Sequence, residues 1–411
     1  MGILSKNLKD FFLILKPYLP YGVLESWNDL DPKLYHSVHI YWLKFYGMWY
    51  NNHSPKSVYF WMQIAYTTVV LWLVCFLPCI GEVVYLLRRK ENIGDIAEGL
   101  YLFLSEMYTY FKIAVFWLNK DKILNLLQYL HCVEFKAEEK EHRDILNRCI
   151  KTSRFVMTYY ALICVGAVSV GIIMPMTENF EVLPTNVEYP FFDVYKSPAY
   201  NIIYLHHVKT IYYFGQINIL AYNVRNFEII AERYCGQDQR GQWKTKDYCS
   251  RLVLKKCIKH HNAIIRYVSM IEDAFSLASA LQFMLSVMVL CLVGIQFLSI
   301  ENPTGHPMQI TWMAIYLTCM LLEVFILCWF GNELILKSLE LRQAAYEGPW
   351  LKSDPKTAML LIIFLERCKQ PLNVTAGKIF TLSLDTYTIF LSAFLLLHDK
   401  APFRKAGKLK K

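Results

Sequence analysis

Charge is scarce in this sequence. Only 19% of the 411 residues are Asp, Glu, Lys or Arg, and 55% are hydrophobic, whereas a soluble domain has about 25% charged and about 45–50% apolar residues. The apolar excess falls in separate runs of membrane length, so we expect a polytopic membrane protein. The start of the chain shows no secretory signal, since its only apolar run, 11–15, is too short.

Signatures of catalysis are also missing. The sequence has no nucleophile-elbow glycine motif, no P-loop and no His-Glu-x-x-His zinc motif. The adjacent His206 and His207 would point to different faces of a helix, which makes a poor metal pair. No internal repeat suggests a transporter built from two similar halves. We therefore predict a protein that is not an enzyme, with no cofactor and no metal site.

Seven segments are long and apolar enough to span a bilayer, for which ~20 helical residues suffice. They are 57–87, 92–118, 155–177, 199–224, 274–300, 308–331 and 376–397. Pro78 predicts a kink near the far end of the first span. The second span carries several charges, including Lys112, so part of it must face protein or water. Glu323, the one acid of the sixth span, is expected to pair with a polar group on a neighbouring span.

The distribution of Lys and Arg predicts the orientation. The segments on one side of the membrane, 1–56, 119–154, 225–275 and 332–375, hold 30 of these residues, and the opposite loops hold four. The basic side is expected to be cytoplasmic. The N-terminus is then inside and the C-terminus outside, opposite to a G-protein-coupled receptor, although the basic tail 398–411 disagrees. The net charge of +9 then reflects topology and contact with anionic membrane lipids, and requires no nucleic acid.

This topology divides the chain into five parts. Residues 1–56 form a cytoplasmic segment with an aromatic, interfacial helix, and 57–331 form the first six spans. Residues 332–375 form a cytoplasmic segment, 376–397 the seventh span, and 398–411 a basic tail. The outer loops hold no cysteine, so we expect the twelve cysteines to be free thiols.

The seventh span carries an unusual polar stripe. Thr381, Asp385, Thr388 and Ser392 follow at steps of four, three and four, which places them on one face of a helix. A carboxylate inside a bilayer normally faces protein or water, so the stripe suggests a water-lined path. The alternative is that the hydroxyls bond to carbonyls of their own helix and that Asp385 pairs with another segment.

The C-terminal half resembles the insect odorant receptors in several stretches that occur in the same order. These are 257–265 (CIKHHNAII) with 270–276 (MIEDAFS), 328–334 (CWFGNEL), 343–350 (QAAYEGPW), 376–387 (AGKIFTLSLDTY) and the outer segment 183–191. The inverted topology agrees with this family, and the first half of the chain is similar mainly in length and span pattern. The sequence departs from the family after Leu397, where a basic tail follows.

The resemblance implies an all-α fold of seven transmembrane helices in a tetrameric, ligand-gated, non-selective cation channel. Such tuning subunits assemble with a shared odorant co-receptor in the plasma membrane of olfactory sensory dendrites. The seventh helix of each subunit lines one central pore, which gives a pore-lining role to Thr381, Asp385, Thr388 and Ser392. Segment 332–375 would belong to a cytoplasmic helical anchor where subunits meet.

The family's ligand pocket lies in the outer half of the bundle, between the second, third, fourth and sixth spans. A volatile ligand is small and apolar, so the pocket should be apolar with one or two polar groups. Depth and helical spacing select a candidate set for which ordinary helix packing is the alternative. The set is Tyr101, Leu104, Ser105, Tyr108, Ser169, Ile172, Ile173, Tyr204, Val208, Tyr212, Met313 and Tyr316.

Two other receptor classes are alternatives. A gustatory-type channel of the same superfamily would carry Thr-Tyr in its seventh helix, followed by an apolar run to Gln-Phe. Thr386-Tyr387 is present here, but no Gln-Phe follows. A metabotropic seven-helix receptor would place its N-terminus outside, which the loop charges disfavour.

Overall fold

The structure is a computed structural model that describes residues 58–72, 77–88, 93–137, 139–149, 214–235, 245–299 and 307–399, with a few single positions in 151–166. The named helices are α1 Val58–Leu71, α2 Leu77–Arg88, α3 Ile93–Leu118, α4 Lys120–Tyr129, α5 Phe227–Tyr234, α6 Lys246–Ser299, α7 Pro307–Glu347, α8 Pro355–Arg367 and α9 Leu384–Asp399. Residues 140–149 and 214–225 are also helical, and short 3₁₀ turns occupy Val133–Phe135 and Trp350–Lys352. The helical expectation is confirmed in this part of the chain.

Two of these helices are long and apolar enough to cross a membrane, namely Lys246–Phe297 and Met313–Glu347. Only 39% of the most apolar window of each is buried inside the chain. Most of the other residues of these windows are half-buried within the chain. Leu384–Leu395 is a shorter apolar helix. The predicted third span and most of the fourth lie outside the described residues.

Helices α6 and α7 extend far beyond the predicted fifth and sixth spans. Residues 246–273 and 332–347 contain neither Gly nor Pro, so nothing in them interrupts the helical hydrogen bonds. Helix α7 ends where Gly348 and Pro349 follow, and Pro349 cannot continue it. Parts of the cytoplasmic segments predicted before the fifth span and after the sixth, namely 246–273 and 332–347, are therefore continuations of α6 and α7.

The first predicted span is described as two helices, α1 and α2, with 73–76 outside the described residues. Pro78 is the second described residue of α2, directly after the residues that are not described, so the kink at Pro78 stays a prediction. The second predicted span matches α3 closely.

Helix α6 lies at the centre of the described fold and contacts α3, α5, α7, α8 and α9. Around its first half, Phe135 of the 3₁₀ turn is buried between Tyr267 and His260, with ring centroids 6.0 and 5.7 Å away. At the start of α8, Asp354 accepts a hydrogen bond from the Thr357 amide and forms an ion pair with Arg251 of α6 at 2.6 Å. This end of the bundle is thus a well-packed helical body.

The seventh segment begins differently from the prediction. A helix from Ala376 was expected, but Thr375–Ala376 (β1) and Phe380–Thr381 (β2) form an antiparallel hairpin, and α9 begins only at Leu384. Gly377 and Lys378 occupy the turn with φ of 63° and 60°, a left-handed conformation that a helix cannot contain. The helix also continues to Asp399, two residues past the predicted end at Leu397.

Candidate ligand site and channel helix

A small buried cluster joins α3, α6 and α7. Its core consists of Tyr101, Leu102, Val289, Val293, Met313 and Tyr316, with Leu104, Leu292, Leu317 and Met320 packed against it. We call this cluster the ligand layer. It is apolar and rich in flexible and aromatic side chains, which suits contact with a small apolar molecule.

The hydroxyl groups of Ser105 and Tyr316 form a hydrogen-bonding site at the ligand layer. Ser105 Oγ donates to the Tyr101 carbonyl oxygen at 2.8 Å, and it lies 2.6 Å from Tyr316 Oη. Because the one Ser105 hydrogen is directed to Tyr101, Tyr316 donates to Ser105. The Tyr101 and Tyr316 rings also pack with centroids 5.0 Å apart. A ligand that carries an oxygen can bond here only by competing with the Ser105–Tyr316 hydrogen bond.

The structure brings together five of the predicted ligand residues, namely Tyr101, Leu104, Ser105, Met313 and Tyr316. Six others, Ser169, Ile172, Ile173, Tyr204, Val208 and Tyr212, lie outside the described residues. Sequence reasoning missed the contribution of α6, whose Val289 and Val293 complete the layer. Their spacing of four places them on one helical face, but the same spacing occurs in any packed helix.

Tyr108 lies deeper than the ligand layer and belongs to a group that we call the polar layer: Tyr108, Lys112, Gln282, Ser286 and Glu323. Tyr108 Oη donates to Gln282 Oε1, and Gln282 Nε2 donates to Ser286 Oγ at 3.2 Å. Lys112 Nζ lies 2.8 Å from Glu323 Oε1 and 3.8 Å from the centre of the Tyr108 ring. The expectation that Glu323 pairs across spans is thus confirmed, and its partner is Lys112.

The predicted pore residues do not all lie on one helix. Thr381 is in β2, so only Asp385, Thr388 and Ser392 share the stripe on α9. All three are exposed on the single chain. Thr388 Oγ1 donates to the Asp385 carbonyl at 2.8 Å, as the alternative interpretation expects. In the part of the chain that is described, however, Asp385 has no ion-pair partner. A pore-lining role for the four residues stays a prediction.

Helix α9 is seated on α6 and α7. The Tyr387 ring lies edge-on to Phe325 of α7 with centroids 5.3 Å apart, and Phe390 lies edge-on to Phe283 of α6 at 6.1 Å. Ser383 Oγ accepts from the Thr386 amide at 3.2 Å and caps the start of the helix. The helix α9 therefore packs against two of the three helices that build the ligand layer.

The hairpin before α9 is held by α6 and by a glycine of α7. The Gly377 amide donates to the Ser276 carbonyl at 2.9 Å, and Ser276 Oγ donates to the Thr375 carbonyl at 3.0 Å. Gly331 of α7 packs so closely that a Cβ there would lie 2.2 Å from the Leu382 carbonyl oxygen. The segment before α9 is therefore in direct contact with both α6 and α7.

Two buried histidines belong to the packed body at the other end of α6. His260 Nε2 lies 3.0 Å from Gln216 Oε1, and the His261 ring lies edge-on to Phe364 of α8 at 5.2 Å. Burial, and secondarily the nearby His142 and His261, lowers the pKa of His260 to about 3. Burial, with a smaller effect of Arg367, lowers the pKa of His261 to about 4. Both rings are therefore neutral at physiological pH.

Comparison with known proteins gives consistent matches. The family profile described as 7tm Odorant receptor matches residues 92–394. Odorant receptor 10 of Aedes albopictus is 26% identical over 59% of this chain and 66% of its own length. Odorant receptor Or1 of Anopheles gambiae is 19% identical over 88% of this chain and 93% of its own length. The odorant receptor coreceptor of the same species is 28% identical over 37% of this chain and 31% of its own length. Two of these three matches thus span less than two thirds of the relative's length.

A solved structure matches over nearly the whole fold. The insect olfactory receptor OR5 from Machilis hrabei, in complex with eugenol, superposes with a TM-score of 0.70 over 88% of this chain and 96% of that one. The sequence identity is 16%, so this match speaks for the fold alone.

Proposed function

Because the chain belongs to the insect odorant receptor family, whose members are membrane-embedded receptors, we propose that it is a tuning subunit of an odorant-gated, non-selective cation channel. The observation that carries this proposal is the shared scaffold of ligand layer and α9. Helices α6 and α7 contribute Val289 and Tyr316 to the ligand layer. The same two helices contact α9 through Phe283 and Phe325. A ligand that moves these helices therefore acts directly on the proposed channel helix.

The ligand is proposed to be a small, volatile, largely apolar molecule with one oxygen function. The apolar side chains of the ligand layer would hold its hydrocarbon part. The Ser105 and Tyr316 hydroxyls would bond an alcohol, phenol, ketone or ester oxygen. The second, third, fourth and sixth spans supply the predicted pocket residues, and α6 adds Val289 and Val293.

The exposed face of α9 supports a pore. Its polar stripe, Asp385, Thr388 and Ser392, is bordered by Ile389 and Leu395, which are 70% and 57% exposed. This pattern suits a helix whose polar stripe faces water and whose apolar flanks face neighbouring subunits. We propose that these neighbours include the odorant co-receptor in a hetero-tetramer. The complex would lie in the plasma membrane of a sensory dendrite, with the N-terminus and segment 332–375 inside and the C-terminus outside.

Whole-cell recording tests the proposal. Cells that express this chain with the co-receptor should give odorant-evoked cation currents, and cells that express this chain alone should give none. Asp385→Ala should change conductance or cation selectivity, because a carboxylate at a pore mouth attracts cations. The matched control is Asp247→Ala, which removes an exposed carboxylate from the first turn of α6, far from α9 in sequence.

Two outcomes would contradict the proposal. An odorant response without cation current, dependent on a G protein, would indicate a metabotropic receptor. If Asp385→Ala and the wild type give currents of the same selectivity and conductance, the polar face of α9 does not line the pore, whatever the ligand.

A further inference from the structure

Along α7, the polar layer lies between the ligand layer and the contact with α9. Its central element is the Lys112–Glu323 ion pair, 2.8 Å long, with side chains that are 6% and 17% exposed. The ammonium group also faces the Tyr108 ring at 3.8 Å. A charge pair removed from water gains much from a close contact and loses much when one partner is displaced. It therefore favours one relative position of α3 and α7 strongly.

The order of contacts along α7 connects this pair with both sites. Tyr316 is in the ligand layer, Glu323 follows two turns later, and Phe325 contacts Tyr387 of α9. At a rise of ~1.5 Å per residue, Glu323 lies about 10 Å along the axis from Tyr316. Because α7 is one continuous helix, a shift at Tyr316 must pass the Lys112–Glu323 pair before it reaches Phe325.

On α6 the polar layer and the contact with α9 lie side by side, since Gln282 and Phe283 are adjacent residues. Val289 belongs to the ligand layer, Gln282 accepts from Tyr108 of α3, and Phe283 contacts Phe390 of α9. The polar layer therefore ties α3 to both helices that carry α9, next to their contacts with α9.

In the ligand layer, α3 and α7 are joined by the Ser105–Tyr316 hydrogen bond. A ligand that bonds either hydroxyl competes with this contact, and a ligand with volume between the Tyr101 and Tyr316 rings separates them. Ligand binding therefore favours separation of α3 from α7, whereas the Lys112–Glu323 pair opposes it two turns deeper.

We infer that Lys112 and Glu323 are positioning residues that set the threshold for opening, by holding α3 against α7 in the closed arrangement. This inference rests on the proposed channel function. Weakening the pair should let α7 move more easily, so the channel should open more often without ligand and at lower ligand concentration. A pair that serves only folding would change the amount of protein at the surface and leave gating unaltered.

The test uses the full chain with the co-receptor and an odorant that activates the wild type. Basal and maximal currents and the EC50 are recorded and divided by surface protein measured by biotinylation. The variants are Glu323→Gln, Lys112→Met and the exchanged pair K112E/E323K. The control is Glu340→Gln, which removes a carboxylate of the same helix from an exposed pair with Lys337.

Glu323→Gln should raise the ratio of basal to maximal current and lower the EC50, each by about fivefold or more, in the range of typical coupling energies. The exchanged pair should return both within about twofold of the wild type, and Glu340→Gln should change neither. Wild-type gating in Glu323→Gln at the cell surface would overturn the inference. So would an exchanged pair that shows the combined effects of both single variants.

A folding defect does not end the test. If Glu323→Gln fails to reach the surface, Glu323→Asp keeps the charge but shortens the side chain by one methylene, which lengthens the contact. Altered gating in Glu323→Asp supports the inference and wild-type gating overturns it. Failure of the proposed function is distinguishable, because the wild type itself would then give no odorant-evoked current.

Discussion

Gly331 offers the sharpest test of how α9 is held. A Cβ at this position would lie 2.2 Å from the Leu382 carbonyl oxygen and 2.5 Å from Leu382 Cβ. Relief of this clash requires the backbone before α9 to move by about 1 Å, because the carbonyl cannot rotate away as a side chain can. Overpacking a tight contact costs about 1–3 kcal/mol. The gain of about 1 kcal/mol from replacing Gly by Ala in a helix offsets part of this. We expect Gly331→Ala to lower the free energy of unfolding by up to about 2 kcal/mol.

The same displacement should alter gating. Movement of Leu382 shifts the start of α9 and the Phe325–Tyr387 contact, so the odorant-evoked current per surface receptor should fall severalfold. Gly294→Ala is the matched control, since a Cβ on that α6 glycine would meet nothing within 4 Å. Thermal melting of the detergent-solubilised chain and whole-cell recording would be compared for both variants. If Gly331→Ala matches Gly294→Ala in both assays, the close approach does not position α9.

Two further predictions concern the ligand layer and the packed body. Tyr316→Phe removes one hydroxyl of the Ser105 pair. We expect it to raise the EC50 of odorants with an oxygen about three- to tenfold relative to that of hydrocarbon odorants, from the loss of about 1 kcal/mol per hydrogen bond. Equal effects on both odorant classes would contradict the polar role. The pKa values of His260 and His261 are lowered in the folded chain, to about 3 and about 4. Below about pH 6.5 the unfolded chain therefore binds protons that the folded chain excludes. Both histidines should leave the stability unchanged above about pH 6.5 and lower it as the pH falls further. Melting at pH 7.5 and at pH 5.5 should show that the free energy of unfolding falls by about 1 kcal/mol per histidine at the lower pH. The fall should be smaller in His261→Gln than in the wild type. An equal fall in both would contradict the role given to His261.

The sequence was most informative where apolar length and charge act together. The predicted span 92–118 matches α3, Ile93–Leu118, because its ends are marked by the change from apolar to charged residues. The expected partner for Glu323 exists because an isolated charge in an apolar bundle is too costly to leave unpaired. The identity of that partner, Lys112, could not be read from the sequence, since it depends on which faces of α3 and α7 meet.

The start of the seventh helix was predicted wrongly for a specific reason. Residues 376–383 are nearly as apolar as α9, so composition extends the helix through them. Local signals did mark the boundary. Gly377 accepts the left-handed backbone of a turn, and Ser383, followed three residues later by Thr386, has the position and chemistry of an N-cap. Composition does not reveal the contact that decides between a helix and a hairpin here. That contact is the hydrogen bond from the Gly377 amide to the Ser276 carbonyl of α6.

The same limit applies to the ligand layer, and it explains why its members looked like packing residues. Tyr101 and Tyr316 are 0% and 4% exposed and would be buried in a protein with no ligand at all. What distinguishes them is their relation to other elements: a hydroxyl pair across α3 and α7, above an ion pair across the same helices, on the two helices that seat α9. Each contact alone is a common packing interaction. The order of these contacts along α7 gives the proposed ligand binding a mechanical route to α9, and the contacts themselves form only in the folded chain.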